Sequence, residues 1–121
     1  MMDDMNMMDD MNILPERDVE SILRAETWRH GGRAYKFVCP GCRGVPDRLI
    51  CLPGGKILFC ELKRYGERPR PDQSVQIRRL RALGAEVHVA AGLMGLADLF
   101  ASLGWADSLD RVLARMRKGE K

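Results

Sequence analysis

The sequence predicts an α/β domain, a mixed sheet flanked by helices in the order α-β-β-β-α-β-α-α. Three observations predict it. β-rich runs at 33–38, 48–52, 57–63 and 86–91 are interleaved with segments of helical apolar spacing. Gly and Pro punctuate the boundaries at Gly31-Gly32, Pro53-Gly54-Gly55, Gly84 and Gly104. The length, 121 residues at 45% hydrophobic and 31% charged, suits one globular domain.

The elements follow in order. Residues 1–12 read MMDDMN twice, hold six of the eight Met, and have no packing period. They are expected to be a disordered, acidic, Met-rich leader, with 13–121 as a single domain. The first helix is expected from Pro15 to His30. Pro15 fits its first position, Glu16 and Asp18 favour its N-terminal dipole, and Val19, Ile22 and Leu23 form its apolar stripe. Gly31-Gly32 stops it. Arg33–Val38 is a strand, and Cys39–Val45 a loop. Arg48–Leu52 and Ile57–Lys63 flank a hairpin turn at Pro53-Gly54-Gly55-Lys56. An Arg- and Pro-rich loop, Tyr65–Pro71, leads to a helix from about Pro71 to Leu83. Val75, Ile77, Leu80 and Leu83 are its candidate core residues. Glu86–Ala91 is a strand with Val87 and Val89 on one side. Two helices follow, Leu93–Leu103 and Ala106–Lys118. Trp28 and Trp105 are expected to pack, His30 to sit at a helix C-terminus, and His88 to be an exposed or hydrogen-bonded strand residue.

The formal charge is +3, but it is unevenly spread. The leader holds four acids and no base, so residues 13–121 carry +7, with 15 Arg and five Lys in the chain. An Arg-rich body suits a polyanion, nucleic acid above all, although a solvated basic surface is an equal reading of composition. No apolar run approaches the roughly 18–20 residues that span a bilayer, and the acidic start lacks signal-peptide features. No membrane partner is expected. A cytoplasmic location with four reduced Cys is.

The stretch that carries chemistry is Asp47 followed by Glu61-Leu62-Lys63. Alternation along a strand puts Glu61 and Lys63 on one face. If the hairpin loop is odd and centred on Gly54, Asp47 lies opposite Glu61; an even loop puts Arg48 there instead. Two adjacent carboxylates invite a hard cation, Mg2+ or Mn2+, and a neighbouring lysine favours hydroxide and developing negative charge. Those are the needs of phosphodiester hydrolysis. A surface Glu61–Lys63 ion pair would give the same pattern.

A wider set of residues carries a resemblance. Gly44-Val45-Pro46-Asp47-Arg48-Leu49-Ile50 precedes Leu52-Pro53-Gly54-Gly55 and Phe59-Cys60-Glu61-Leu62-Lys63. Then come Pro69-Arg70-Pro71-Asp72-Gln73 and Leu80-Arg81-Ala82-Leu83-Gly84-Ala85. From about Asp18 to Ala91 the chain resembles the VRR-NUC branch of the PD-(D/E)XK nucleases, in particular its small stand-alone bacteriophage and bacterial members. The resemblance implies a restriction-endonuclease-like α-β-β-β-α-β core with additional C-terminal helices. It implies a metal-dependent DNA endonuclease using one or two Mg2+ or Mn2+ ions and leaving 5′-phosphates. Glu20, Asp47, Glu61 and the Leu62 carbonyl would bind metal, Lys63 would assist the attacking water, and Gln73 would position water or scissile phosphate. Lys36 occupies a position where the family tends to have lysine, for phosphate contact or a strand salt bridge.

Arg33, Arg43, Arg48, Arg64, Arg68 and Arg70 lie in or beside loops near this site and are candidates to grip DNA. Backbone contacts carry no base sequence, so shape recognition of branched or flapped DNA is expected over a fixed cleavage sequence. A homodimer would suit a four-way junction. The apolar stretch 93–100 and the segment after Gly104 are its candidate interface, with core packing an equal alternative. Cys39-Pro40-Gly41-Cys42 has half a zinc-site spacing, but no second CxxC exists, so structural zinc is not expected. Two rival functions remain, a non-catalytic DNA-binding module and a zinc-stabilised interaction domain.

Overall fold

A computed structural model describes residues 14–118, so the hexapeptide repeat lies outside the described residues. Helix α1 is Glu16–Arg29 and strand β1 is Arg33–Lys36. Strand β2, Arg48–Leu52, is joined to β3, Lys56–Lys63, by a 3-10 turn at Pro53–Gly55. Helix α2, Pro71–Ala82, leads to β4, Val87–Ala91. Helices α3, Gly92–Ser102, and α4, Ala106–Lys118, follow. The order is the expected one. Pro15 stands just outside α1 as its N-cap residue rather than at the first helical position.

The sheet order is β1-β2-β3-β4. The first two pairings are antiparallel and β3–β4 is parallel, because α2 provides the crossover that a parallel return needs. The mixed sheet flanked by helices is therefore present. Ile50, Leu58, Cys60, Leu62 and Ala90 share one face and form the core with Val19, Ile22 and Leu23 of α1 and with α3 and α4. Alternation places Leu49, Phe59, Glu61 and Lys63 on the other face, which α2 covers in part.

Helix α3 buries Leu93, Leu96, Ala97, Leu99 and Phe100 in this core. The stretch considered for a dimer interface is thus spent inside the chain, each large side chain contributing about 1.5–3 kcal/mol by burial. In α2 the apolar set divides. Ile77 is buried, but Leu83 is 84% exposed, because the helix ends at Ala82 and Leu83 forms its cap beyond the last turn. Trp105 packs as expected, stacked on His30 and Phe100. Trp28 does not pack inside; it is 61% exposed. Nine residues separate it from Val19, two and a half helical turns, so it emerges opposite the apolar stripe. His30 caps α1, and His88 hydrogen-bonds Glu86 at 2.6 Å.

Candidate active site

The hairpin register decides the first question. Leu52 pairs with Lys56 and Arg48 with Cys60, so the turn holds three residues centred on Gly54, whose φ is 84°. The odd loop is the one realised. Continued one residue beyond β2, this register sets Asp47 opposite Glu61; one further, it sets Pro46 opposite Leu62. Proline has no N–H to give to the Leu62 carbonyl, so the ladder ends there. The Leu62 N–H is taken instead by Asp47 Oδ1 at 3.2 Å. The Pro-Asp dipeptide thereby opens the end of the sheet and turns its carboxylate towards β3.

Glu61 is 2% exposed. Its Oε2 accepts a hydrogen bond from Gln73 Nε2 at 2.8 Å and lies 3.3 Å from Lys63 Nζ. Its Oε1 is buried without a hydrogen-bond partner among the described residues. Gln73 is buried at the start of α2, where its Oε1 accepts the Arg70 N–H at 2.8 Å. It therefore joins the helix N-terminus to Glu61. Gly44 explains how α2 comes so close. A Cβ there would lie 2.6 Å from the backbone carbonyl of Asp72, and its φ of +85° suits only glycine comfortably. The Gly-Val-Pro-Asp loop and the N-terminus of α2 are in backbone contact at this point.

The electrostatics are those of a site short of positive charge. Burial first, then the charge of Glu61, pushes Asp47 up to about 7, opposed by the Leu62 N–H. Burial also raises Glu61, while the Lys63 ammonium draws it down. Both carboxyls feel the negative charge of Glu16. A divalent ion fits such a place. The pair has one ammonium, Lys63, for two carboxyls, one buried carboxylate oxygen is bare, and the chemistry is hard oxygen, which suits an ion that keeps several waters. Among the described residues no group of three or more His, Cys, Asp or Glu gathers to enclose one.

The remaining candidates scatter. Glu20 on α1 forms an ion pair with Arg48, not a contact with Asp47 or Glu61. Arg48 is buried, and also donates to the Ala34 carbonyl at 3.1 Å, so its guanidinium is occupied inside the fold. Lys36, Arg33, Arg43, Arg64, Arg68 and Arg70 are exposed. Arg70 is paired with Asp72, and Arg33 lies over the Trp28 ring. Cys39 and Cys42 approach each other in their loop, where the Cys42 N–H donates to the Cys39 carbonyl at 3.0 Å. Cys60 is in the core instead. Glu16 is the residue that sequence reasoning passed over. It lies one turn before Glu20 on the same helical face, and spacing alone could not rank the two.

No family model matches the chain. A protein of Acyrthosiphon pisum secondary endosymbiont phage 1 named "Putative nuclease p44" is 54% identical over 74 residues, 61% of this chain and 80% of that protein. A solved structure described as "VRR_NUC domain" is similar with a TM-score of 0.68 and 31% identity, covering 71% of this chain and 94% of the other. The likeness extends over nearly the whole of that domain, in the fold that carries Asp47, Glu61 and Lys63 here, and the chain belongs to the VRR-NUC family of nucleases.

Proposed function

We propose that the chain is a divalent-metal-dependent DNA endonuclease. The observation that carries this is the pair of half-buried Asp47 and buried Glu61, with Glu61 Oε1 bare and Lys63 alongside. Asp47, Glu61 and the Leu62 carbonyl are the groups that would hold Mg2+ or Mn2+. When bound, the ion supplies Lewis acidity at the phosphoryl oxygen and a lower pKa for water. Gln73 keeps Glu61 from turning away. Lys63 brings a fixed positive charge to the face where hydroxide attacks and where charge gathers on phosphorus. Glu20 would reach the ion only by giving up Arg48. Glu16 has the stronger electrostatic link to the pair.

The finer proposal is selectivity for branched DNA, a four-way junction or a flap. The exposed arginines and Lys36 would hold phosphates and read shape, not bases. A junction has near two-fold symmetry and would engage two copies of the site, so we expect a homodimer on DNA. No helix among the described residues is long and apolar enough to cross a membrane, and a cytoplasmic site of action is proposed with the DNA.

The test is a cleavage assay on junction, flap and linear duplex with Mg2+, Mn2+ or EDTA, run beside Glu61→Gln. Cutting that needs metal and is lost in the variant supports the proposal. Equal binding by both proteins with no cutting by either under any metal overturns it, in favour of a non-catalytic DNA-binding module.

A further inference from the structure

A groove of about 550 Å³ runs between α1 and the edge strand β1, outside the carboxylate site. Ser21, Arg24 and Trp28 of α1 form one wall, and Arg33, Ala34 and Tyr35 form the other. Two exposed aromatic residues line it, Tyr35 at 55% and Trp28 at 61% exposure. The Arg33 guanidinium lies 3.9 Å from the centre of the Trp28 ring, which holds both planes in place. Two neighbouring depressions share Ala25 with it and add Arg29 and Arg115. The acids of those depressions, Glu26 and Asp107, are paired with Arg111 and, for Glu26, also with Arg29, which leaves Arg24, Arg33 and Arg115 as the positive charge of this surface. The surface is therefore aromatic and cationic together.

We propose that this groove binds a single-stranded segment of nucleic acid, with bases stacked on Trp28 and Tyr35 and phosphates held by Arg24 and Arg33. Every base has a π-face, so an aromatic platform accepts an unpaired strand regardless of sequence, while arginines follow its backbone. A regular duplex hides those faces. Strand β1 leads from the groove towards the carboxylate site, its register running from Arg33 opposite Cys51 to Lys36 opposite Arg48, the neighbour of Asp47. Ala34 in the groove wall accepts from Arg48, next in sequence to Asp47, and Arg24 lies one helical turn after Glu20. Given the nuclease reading, a flap held here would run along β1 towards the scissile phosphate, and the groove would select substrates with unpaired strands.

The experiment is carried out in EDTA, so that it does not depend on cutting. Fluorescently labelled oligo-dT and a duplex of equal length are titrated into the full chain by anisotropy. Intrinsic tryptophan emission is followed in parallel. The wild type is expected to bind oligo-dT with quenching of tryptophan emission. The Trp28→Ala/Tyr35→Ala double variant is expected to lose at least about 10-fold in oligo-dT affinity, with a smaller loss on duplex. Trp28→Phe should recover most of the affinity without the quenching, since Trp105 is buried. Arg24→Glu is the second probe should the double variant not fold, and should weaken oligo-dT binding to a similar degree. Unchanged oligo-dT affinity in these variants overturns the proposal. So does binding without quenching. A wild-type dimer that the double variant converts to monomer, with oligo-dT affinity retained, overturns it too and assigns the groove to a second copy. If oligo-dT binding behaves as expected while no metal supports cutting, the nuclease reading fails and the groove stands.

Discussion

Replacing Asp47 by asparagine should stabilise the metal-free protein, by an amount that grows as the pH rises from about 4 to about 7. The amide side chain would keep the oxygen that accepts the Leu62 N–H and remove the charge beside Glu61. Burial and that neighbouring charge raise Asp47 from 3.8 to about 7. The folded state therefore holds a proton that the unfolded chain has already released. For a raised carboxyl this contribution to stability is complete below about pH 4 and is lost as pH rises through about 7. Three units correspond to at most about 4 kcal/mol; Asp47 is only half-buried, and screening reduces that to about 2 kcal/mol. Glu61 is raised as well and acts with the same sign, as a coupled pair. The carboxyls of Glu26 and Asp107 are lowered, so their contributions are lost only in acid, outside this window. Thermal melts in EDTA at pH 5 and pH 8 measure the effect. At pH 8 Asp47→Asn should melt about 10 °C above wild type, and at pH 5, about one unit into a window of about three, above it by roughly a third of that. Added Mn2+ should raise the wild type at pH 8 and leave the variant unmoved. A variant melting below wild type at pH 8 in EDTA would refute the account of a site held together against its own charge.

Four further outcomes are expected. Lys63→Met should reduce cleavage by about 10²–10³-fold in single-turnover assays while DNA binding in EDTA changes little. Gln73→Ala should release Glu61 Oε2 and weaken Mn2+ binding by isothermal titration by about 10-fold, the scale for a group that orients a metal ligand. Glu16→Gln should weaken Mn2+ binding more than Glu20→Gln, since Glu16 is the first-helix acid whose charge reaches both carboxyls; the reverse order would make Glu20 the nearer partner. Ser108→Ala removes a 2.7 Å hydrogen bond to the buried Glu26 and should cost about 2 kcal/mol in urea unfolding without changing cleavage.

The hairpin was legible because its information is local. Pro53-Gly54-Gly55 specifies a short turn, but its parity was open, and only the pairing of Leu52 with Lys56 sets positions 47 and 61 opposite each other. The order of helices and strands was legible for a similar reason, since apolar spacing and glycine stops act within one element. The partner of Glu20 was not legible. It depends on Arg48 folding back under β1 from 28 residues away, and nothing near Glu20 encodes that. The bare oxygen on Glu61 was equally hidden, because it results from Gln73 and Lys63 both meeting the other oxygen. Trp28 was legible but misjudged. Its size suggested the core, while its angle on the helix pointed outward.

Strand β3 explains why the site can hold excess negative charge without relaxing. Leu58, Cys60 and Leu62 are fully or almost fully buried on one face, and Glu61 and Lys63 are buried on the other. Moving Glu61 towards water would drag Cys60 and Leu62 out of the core, at about 1.5–3 kcal/mol for a leucine side chain alone. The other exit is rotation of the Glu61 side chain, and Gln73 opposes it from a helix that Gly44 lets settle against the loop. The apolar face thus offsets the cost of the polar one. A neutral Glu61→Gln in this setting should fold at least as stably as wild type, so loss of its cleavage would report the chemistry and not the scaffold.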